Sequence, residues 1–268
     1  MSTICADVFA DTDEIRLGGE ALNFAMTISK YPHVSISLMG AIGDDHIAQK
    51  VIQCIKERKT IDMSCVHVVN NGRTATNTIY HDSGGNRYFK PDSWDGGVYQ
   101  NFRLTEIDKK KLKETDVVFI NYFSTNFQEV FELKSEYGYQ MAVDFDVFRD
   151  FEKLKDIVNQ IDYIFFSGDE QTLKVLKNWS KLYHGIFNAT LAEKGSVTFY
   201  RGKEYRTEAI SVEEIVDTTG CGDSYHAAFI ASYLNHHDIN LAMEEGSLQA
   251  SKTLAFLGGF ETGTLYSE

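Results

Sequence analysis

The 268-residue chain has little of what marks a secreted, membrane-bound or nucleic-acid-binding protein. It contains two prolines, no low-complexity tract and no internal repeat, so no linker separates independent domains and a single domain over 1–268 is expected. Its four cysteines (Cys5, Cys54, Cys65 and Cys221) are scattered without a Cys-x-x-Cys pair, which favours reduced thiols over a disulfide framework. No apolar run reaches the roughly 18 residues of a bilayer-spanning helix. The opening Met-Ser-Thr-Ile-Cys-Ala-Asp has neither a basic n-region nor a long apolar h-region, so a soluble, cytoplasmic protein is expected. Basic residues are in deficit, 26 Lys and Arg against 39 Asp and Glu, for a net charge of −13. Binding to nucleic acid or to anionic membrane calls for a basic face, so neither is an expected partner. A local basic pocket for a phosphorylated ligand is still compatible with that balance.

The chain is 43% apolar and 24% charged. At this length it can bury roughly three quarters of its unfolded surface, so it needs no covalent or metal staple. Short apolar runs rich in β-branched or aromatic residues read as strands at 34–41, 117–122, 140–145, 163–167, 185–191 and 197–200. Helical patterns lie between several of them. Residues 22–30 carry one apolar face, residues 47–59 repeat Ile47, Val51, Ile52 and Ile55 at three-to-four spacing, and Thr105 can cap a helix whose Lys109–Lys110–Lys111 run is a solvated face. Strands alternating with helices imply crossover units and a largely parallel sheet covered on both faces. Residues 65–103 break the rhythm with strand-like alternation and Asn-Gly and Gly-Gly turn signals, which reads as antiparallel hairpins forming a small β appendage.

The sharpest chemical signal is Asp217-Thr218-Thr219-Gly220-Cys221-Gly222-Asp223, followed by an almost wholly apolar helix pattern over 224–234. Gly220 and Gly222 let the backbone bend and approach a ligand. The following helix starts there, and its unpaired N–H groups and positive dipole end make an anion site. Asp223 stands at the same place, where a carboxylate can take a proton from an attacking hydroxyl. An anion site beside a positioned base is what phosphoryl transfer to an alcohol requires.

The D-T-T-G-C-G-D run resembles the C-terminal signature of the ribokinase, or PfkB, family of carbohydrate kinases, with Cys221 in place of the usual small Ala. That resemblance implies Asp223 as catalytic base and Gly220, Cys221 and Gly222 as the anion hole. Gly18-Gly19-Glu20-Ala21-Leu22-Asn23-Phe24-Ala25 is similar to the family's G-G-x-x-x-N-x-A sugar segment, which implies sugar contacts at Gly18, Gly19 and Asn23. The stretch from Ala6 to Asp11 resembles the segment whose final Asp binds sugar hydroxyls, here Asp11, with Ala6 where the family has Gly. Gly40 to Asp45 matches a structural turn.

On the nucleotide side, Ser167-Gly168-Asp169-Glu170 stands where the family has N-x-x-E, which implies that Glu170 organises Mg²⁺ through water. Thr190-Leu191-Ala192-Glu193-Lys194-Gly195 resembles the T-L-G-x-x-G segment, with Ala192 for the first Gly. This implies ATP contacts at Thr190, Glu193, Gly195 and Thr219. Asp217 and Thr219 fall where family members can hold a monovalent cation such as K⁺.

The implied architecture is α/β: a ribokinase-like three-layer α/β/α body with a mostly parallel central sheet. A small β-sheet lid would come mainly from about 65–103 and part of 11–18. Arg87 on that lid is a candidate substrate contact, and a lid-mediated homodimer is the expected assembly. The implied activity is transfer of phosphate from ATP, with Mg²⁺, to a sugar hydroxyl. G-G-x-A-x-N-x-A, V-D-F-D and D-Y-I-F-F-S-G look most like the fructoselysine 6-kinase branch. The alternatives are a fructokinase, ribokinase or nucleoside kinase of the same family, or a non-catalytic sugar-binding regulator. Arg73, Arg87, Lys90 and Arg103 show no phosphate-binding spacing, which favours a neutral or zwitterionic fructose-like substrate over a sugar phosphate. Asp144-Phe145-Asp146 ends a strand near the expected substrate, and His236-His237 reads as a solvated helix end.

Overall fold

The computed structural model describes residues 1–81 and 87–262. Strand β1 (Cys5–Phe9) turns back as β2 (Glu14–Gly18), followed by helix α1 (Glu20–Ile28), β3 (Ile36–Ile42), α2 (His46–Lys56) and β4 (Ile61–Val68). Next come β5 (Ala75–His81), the two-residue strands β6 (Arg87–Tyr88) and β7 (Trp94–Asp95), and α3 (Glu106–Lys113). Strands and helices then alternate as β8 (Val117–Asn121), α4 (Phe127–Tyr137), β9 (Gln140–Asp144), α5 (Phe151–Leu154), β10 (Tyr163–Ser167), α6 (Glu170–Leu182) and β11 (Ile186–Thr190). A hairpin of β12 (Ser196–Tyr200) and β13 (Lys203–Thr207) precedes the long helices α7 (Cys221–His236) and α8 (Ile239–Thr253).

β8, β9, β10 and β11 lie side by side and parallel, and β12 and β13 extend that sheet antiparallel at one edge. Successive side chains of a strand point to opposite faces, and here both faces are apolar. Ile120, Val143, Ile164 and Phe166 pack with Leu112 of α3, Val130 of α4 and Leu176 of α6. Phe119, Ala142, Phe165 and Ile186 point the other way, against Tyr225 and Phe229 of α7 and Met243 of α8. Three layers result, with the sheet in the middle. Phe165, Phe166 and Phe187 are fully buried, and each such ring contributes roughly 1.5–3 kcal/mol.

The β appendage departs from expectation in how it pairs. β4, at the start of the 65–103 stretch, lies parallel to β3 with α2 as the crossover, and Cys65 packs against the main core. From β5 onward the stretch joins a second sheet of order β2-β1-β5-β6, with β7 also on β5. β5 runs parallel to β1, while β2, β6 and β7 pair antiparallel. A half-buried strand alternates alike whichever way its neighbour runs, so the pattern could not give the direction. The Gly-Gly turn signal at 84–85 lies outside the described residues. The four cysteines are free.

Local chemistry sets the helix starts. Thr105 and Asp108 form a capping box at α3, and His67 Nε2 approaches the same Asp108 carboxylate at 2.9 Å. Asp45 caps α2 through Ala48 N–H at 2.9 Å, and its carboxylate also accepts from Thr74 N–H and Oγ1, both at 2.7 Å. That one side chain therefore fixes a helix and the approach to β5. Replacing Asp45 by Ala is expected to cost about 2–3 kcal/mol in chemical denaturation, the cap plus the bonds to Thr74. A loss below about 0.5 kcal/mol, the usual surface-mutation range, would show that solvent replaces those bonds.

Candidate active site

The carboxyl ends of β8 to β11 and the starts of α1 and α7 converge where an open α/β sheet normally takes its ligand. Helix α1 packs directly on α7 and brings Asn23 Nδ2 to within 2.8 Å of Asp223 Oδ2, across 200 residues of sequence. Both residues are buried. A second polar contact follows one turn along α1 and one residue along α7: Thr27 Oγ1 lies 3.2 Å from Ser224 Oγ, which accepts from Thr253 Oγ1 of α8 at 2.9 Å. Together with Tyr225 Oη, which donates to Ser196 Oγ at 2.9 Å and accepts from Asn188 Nδ2 at 3.0 Å, these bonds fix the rotation of a helix buried from Asp223 to Ser232.

The turn before α7 is held by Asp217. Its Oδ1 accepts from Thr219 N–H and Oγ1 at 3.0 and 2.9 Å, and its Oδ2 accepts from Gly258 N–H at 2.9 Å. Thr219 thus spends its hydroxyl inside the turn. Gly220, at φ +73°, adopts the left-handed conformation, and a Cβ there would lie 2.4 Å from Gly259 Cα. Gly222 is different: a Cβ there would meet only His226 Cε1, at 3.9 Å. The fold requires the first glycine and leaves space at the second. Cys221 N–H makes a long bond to Thr218 O at 3.3 Å. The amides of Gly222 and Asp223, in the first turn of α7, have no helical acceptor.

Burial dominates the electrostatics. It pushes Asp223 up to about 6, partly offset by the Asn23 bond and by Arg87, with Asp146 pushing further upward. Asp7 is pushed up to about 7 by burial, with Arg87 opposing and Asp217 and Asp223 adding. Glu20 goes up to about 8 through burial and the nearby Asp223 charge. Asp144 is also raised well above the carboxylate range, by burial and then by Glu20. Asp144 Oδ1 holds Asp146 N–H at 2.8 Å, in a bend where Asp146 takes φ +47°.

The residues singled out in the sequence fall into three groups. Gly18, Gly19, Asn23 and the 217–223 turn meet around Asp223. Gly18 lies so close to Asp7 that a Cβ would come 2.1 Å from Asp7 Oδ2. In the turn between β1 and β2, Asp11 Oδ2 contacts His81 N–H and Nδ1, each at 3.2 Å, and the far nitrogen of His81 lies 3.9 Å from Asp217 Oδ1. Arg87 is exposed on β6, yet its charge offsets both Asp7 and Asp223. The third group shares the sheet end. Thr190 pairs in register with Ser167, and Gly195 packs so tightly on Thr207 O that only glycine fits. Ala192 takes φ +50° where the family pattern has Gly, and Glu193 is exposed. Glu170 opens α6 beside Asp169, which caps the helix and pairs with Arg149 at 2.9 Å.

Sequence reasoning missed Glu20 as a half-buried acid of the site, as well as Asn121, His81, His226 and Gly259. Of these only Glu20 had a local signal, its place directly after the Gly-Gly pair.

The buried acids carry a stability consequence. Asp7, Glu20 and Asp144 hold protons more tightly folded than unfolded, so their contribution is full below the ordinary carboxyl range. It is lost as pH rises through about 7 for Asp7 and about 8 for Glu20. The Met1 ammonium, lowered from 8.0 to about 5 by burial, opposes them as one group against three. The ligand-free protein is therefore expected to melt at lower temperature at pH 8.5 than at about 6.5 in scanning calorimetry. A flat or rising Tm over that interval would show these carboxyls to be solvated.

A sequence model of the pfkB family of carbohydrate kinases matches residues 9–258. Fructoselysine 6-kinase of Escherichia coli K12 is 26% identical over 259 residues, covering 96% of either chain. Fructosamine kinase FrlD of Bacillus subtilis is 25% identical over 270 residues, covering 97% of this chain and 91% of its own. Among solved structures, Arabidopsis thaliana ribokinase, complexed with ribose and ATP, superposes with a TM-score of 0.79 at 18% identity. That alignment covers 96% of this chain and 92% of the ribokinase. The three-layer body is thus the ribokinase-like fold, and the chain belongs to the pfkB family of carbohydrate kinases as an ATP-dependent sugar kinase.

Proposed function

We propose that this kinase phosphorylates the 6-hydroxyl of a fructosamine such as fructoselysine, with Asp223 as the base. The observation that carries this reading is the Asn23–Asp223 hydrogen bond, which joins the sugar-segment asparagine to the carboxylate at the start of α7. Asp223 takes the proton from the acceptor hydroxyl, and Asn23 and Arg87 keep enough of it ionised to do so. Asp11, Gly18, Gly19, Asn23 and Arg87 hold the sugar. The backbone at Gly220, Cys221 and Gly222 receives the transferred group, and the open space at Gly222 suits that approach. Relatives named as fructoselysine and fructosamine kinases, aligned over nearly the full chain, support the substrate class.

Thr190, Glu193, Gly195 and Thr219 are assigned to the nucleotide side, Thr219 through the turn it closes. Bound Mg²⁺ neutralises charge on the phosphates. The ion would keep most of its waters, with Glu170 acting through one of them. A monovalent cation at Asp217 meets two oxygens that already accept backbone N–H groups, and no step is drawn through one.

A homodimer through the lid is part of the same proposal. Tyr88, Phe89 and Trp94 stand 43, 50 and 47% exposed there, apolar surface that a second copy would cover. No helix among the described residues is long and apolar enough to cross a membrane, and cytoplasmic residence is proposed with the rest.

The test is ADP release with ATP and Mg²⁺ over fructoselysine, other fructosamines, fructose, ribose, fructose phosphates and adenosine. Fructosamines are expected to lead, and adenosine turnover without ketose turnover would overturn the substrate reading. Asp223→Asn is expected to lower kcat by about 10²–10⁴-fold. In the native enzyme kcat/KM should fall on acidification below about 6, where Asp223 takes up a proton. A profile flat from pH 7.5 to 5 would remove Asp223 from the role of base.

A further inference from the structure

Beside Asp223 the site has a wall made almost entirely of acceptors. Glu20 opens α1, with Oε1 accepting from Asn121 Nδ2 and Oε2 from Ser2 Oγ, both at 2.6 Å. Asn121 ends β8 in register with Asp144, which ends β9 and in turn holds Asp146. Glu20, Asp144, Asp146 and Asp223 lie within one another's electrostatic reach. Two cations face this group. The Met1 ammonium, donating to Phe119 O at 2.6 Å, is brought close to neutrality by burial. Arg87 offsets Asp7 and Asp223, at the other side of the site.

Two further buried groups next to Asp223 and Asp144 have polar atoms without a hydrogen bond among the described residues. Asn23 is 3% exposed; its amide is spent on Asp223, and its Oδ1 accepts from nothing. His226, one helical turn beyond Asp223, is also 3% exposed. Neither of its ring nitrogens is bonded, and Nδ1 faces Asp144 Oδ2 at 3.7 Å. Buried polar atoms in a folded protein are nearly always satisfied, so unpaired ones at a cleft mark where a ligand completes the set. The unpaired Asn23 oxygen and the surplus of carboxylates call for a ligand rich in donors and positive in charge. An apolar rim adjoins the wall. Phe123 is 60% exposed, its N–H held by Asn121 Oδ1 at 2.7 Å and its ring edge-on to Tyr122 and Phe148, and Val147 is 62% exposed.

We propose that Glu20, backed by Asp144 and Asp146, selects a sugar bearing a protonated amine, and that Phe123 and Val147 receive the carbon chain attached to that nitrogen. The inference rests on the fructosamine reading and names the residues that would enforce it. An ammonium in this wall gives the carboxylates the counter-charge the chain itself lacks. A neutral ketose leaves these acids holding their protons and gains no ion pair, and a sugar phosphate brings the wrong sign.

The experiment compares 1-deoxy-1-propylamino-fructose, cationic at neutral pH, with its methylamino homologue, its neutral N-acetyl derivative and fructose. Native protein, Glu20→Gln and Phe123→Ala would be measured with ATP and Mg²⁺. The native enzyme is expected to favour the amine in kcat/KM, and Glu20→Gln to shrink the amine-to-fructose ratio by about tenfold or more, the scale of a lost charged partner. Phe123→Ala should erase the preference for the propylamino over the methylamino sugar. Titration calorimetry of the native protein in buffers of differing ionisation enthalpy gives a readout that needs no variant. Binding the amine should release protons from the wall, and fructose should release fewer.

An unchanged ratio in a folded Glu20→Gln protein overturns the assignment, as does a shifted Mg²⁺ requirement with the ratio intact. Equal proton release by both sugars does so as well. If fructosamines are phosphorylated in any of these cases, the Glu20 assignment alone is lost. If only nucleosides are phosphorylated, the fructosamine reading fails and takes this inference with it.

Discussion

Placement of a carboxyl group at the head of a buried helix is the constraint on which the rest of this site depends. Helix α7 is covered nearly all round by the sheet, α1 and α8, so its axis is set by apolar packing. Its rotation about that axis is a separate matter. Hydrophobic contacts are non-directional, and a helix with so little polar surface could settle in several rotations at similar cost. The bonds from Asn23 to Asp223 and from Thr27 and Thr253 to Ser224, with those of the Tyr225 hydroxyl to Asn188 and Ser196, choose one. Asp223 is therefore aimed by three helices together, two of them remote from it in sequence.

That arrangement works against stability. Desolvating a carboxylate is costly, and Asp7, Glu20 and Asp144 are gathered near Asp223 with few cations between them. A packing optimum would replace some of these acids by apolar residues. Their presence makes sense when the cleft is considered with ligands in it, since hydroxyl and ammonium donors would satisfy the unpaired acceptors. Destabilised groups held in place by an otherwise well-packed body are the usual condition of an active site. The body here can carry that load, because both faces of the central sheet are fully covered.

Legibility in the sequence followed the range of the interactions. The parallel strands were readable because a strand buried on both faces is a continuous apolar run, and 163–167 was anticipated with the bounds it has. The D-T-T-G-C-G-D turn was readable because its parts are local: Asp217 bonds Thr219 two residues away, and Gly220 needs a positive φ. The direction of β4 and β5 was not readable, since alternation says nothing about a neighbour's polarity. Nor were Asn121 and His226, which matter only because β8 and α7 bring them beside Glu20 and Asp144. The Gly258–Gly259 pair closes the turn from behind, yet in sequence it looks like any loop. Its meaning appears once a Cβ on Gly259 is seen to fall 2.3 Å from the Asn23 side chain.

The two glycines of the turn separate what folding asks from what chemistry asks. Gly220 is explained within the chain: its left-handed backbone and its contact with Gly259 exclude other residues whether or not a substrate ever binds. Gly222 has no such explanation, for a methyl group there would meet nothing nearer than 3.9 Å. Glycine is a poorer helix former than alanine, and here it returns no packing. Space kept open at the first turn of a helix, beside unpaired amides and a buried carboxyl group, is space for something that arrives from outside. The same reasoning applies to Gly195 with the opposite result. There a Cβ would fall only 2.0 Å from Thr207 O, so the fold itself accounts for that glycine without a nucleotide. A glycine in a family motif is thus evidence for a ligand only where the protein's own atoms leave its absent side chain unexplained.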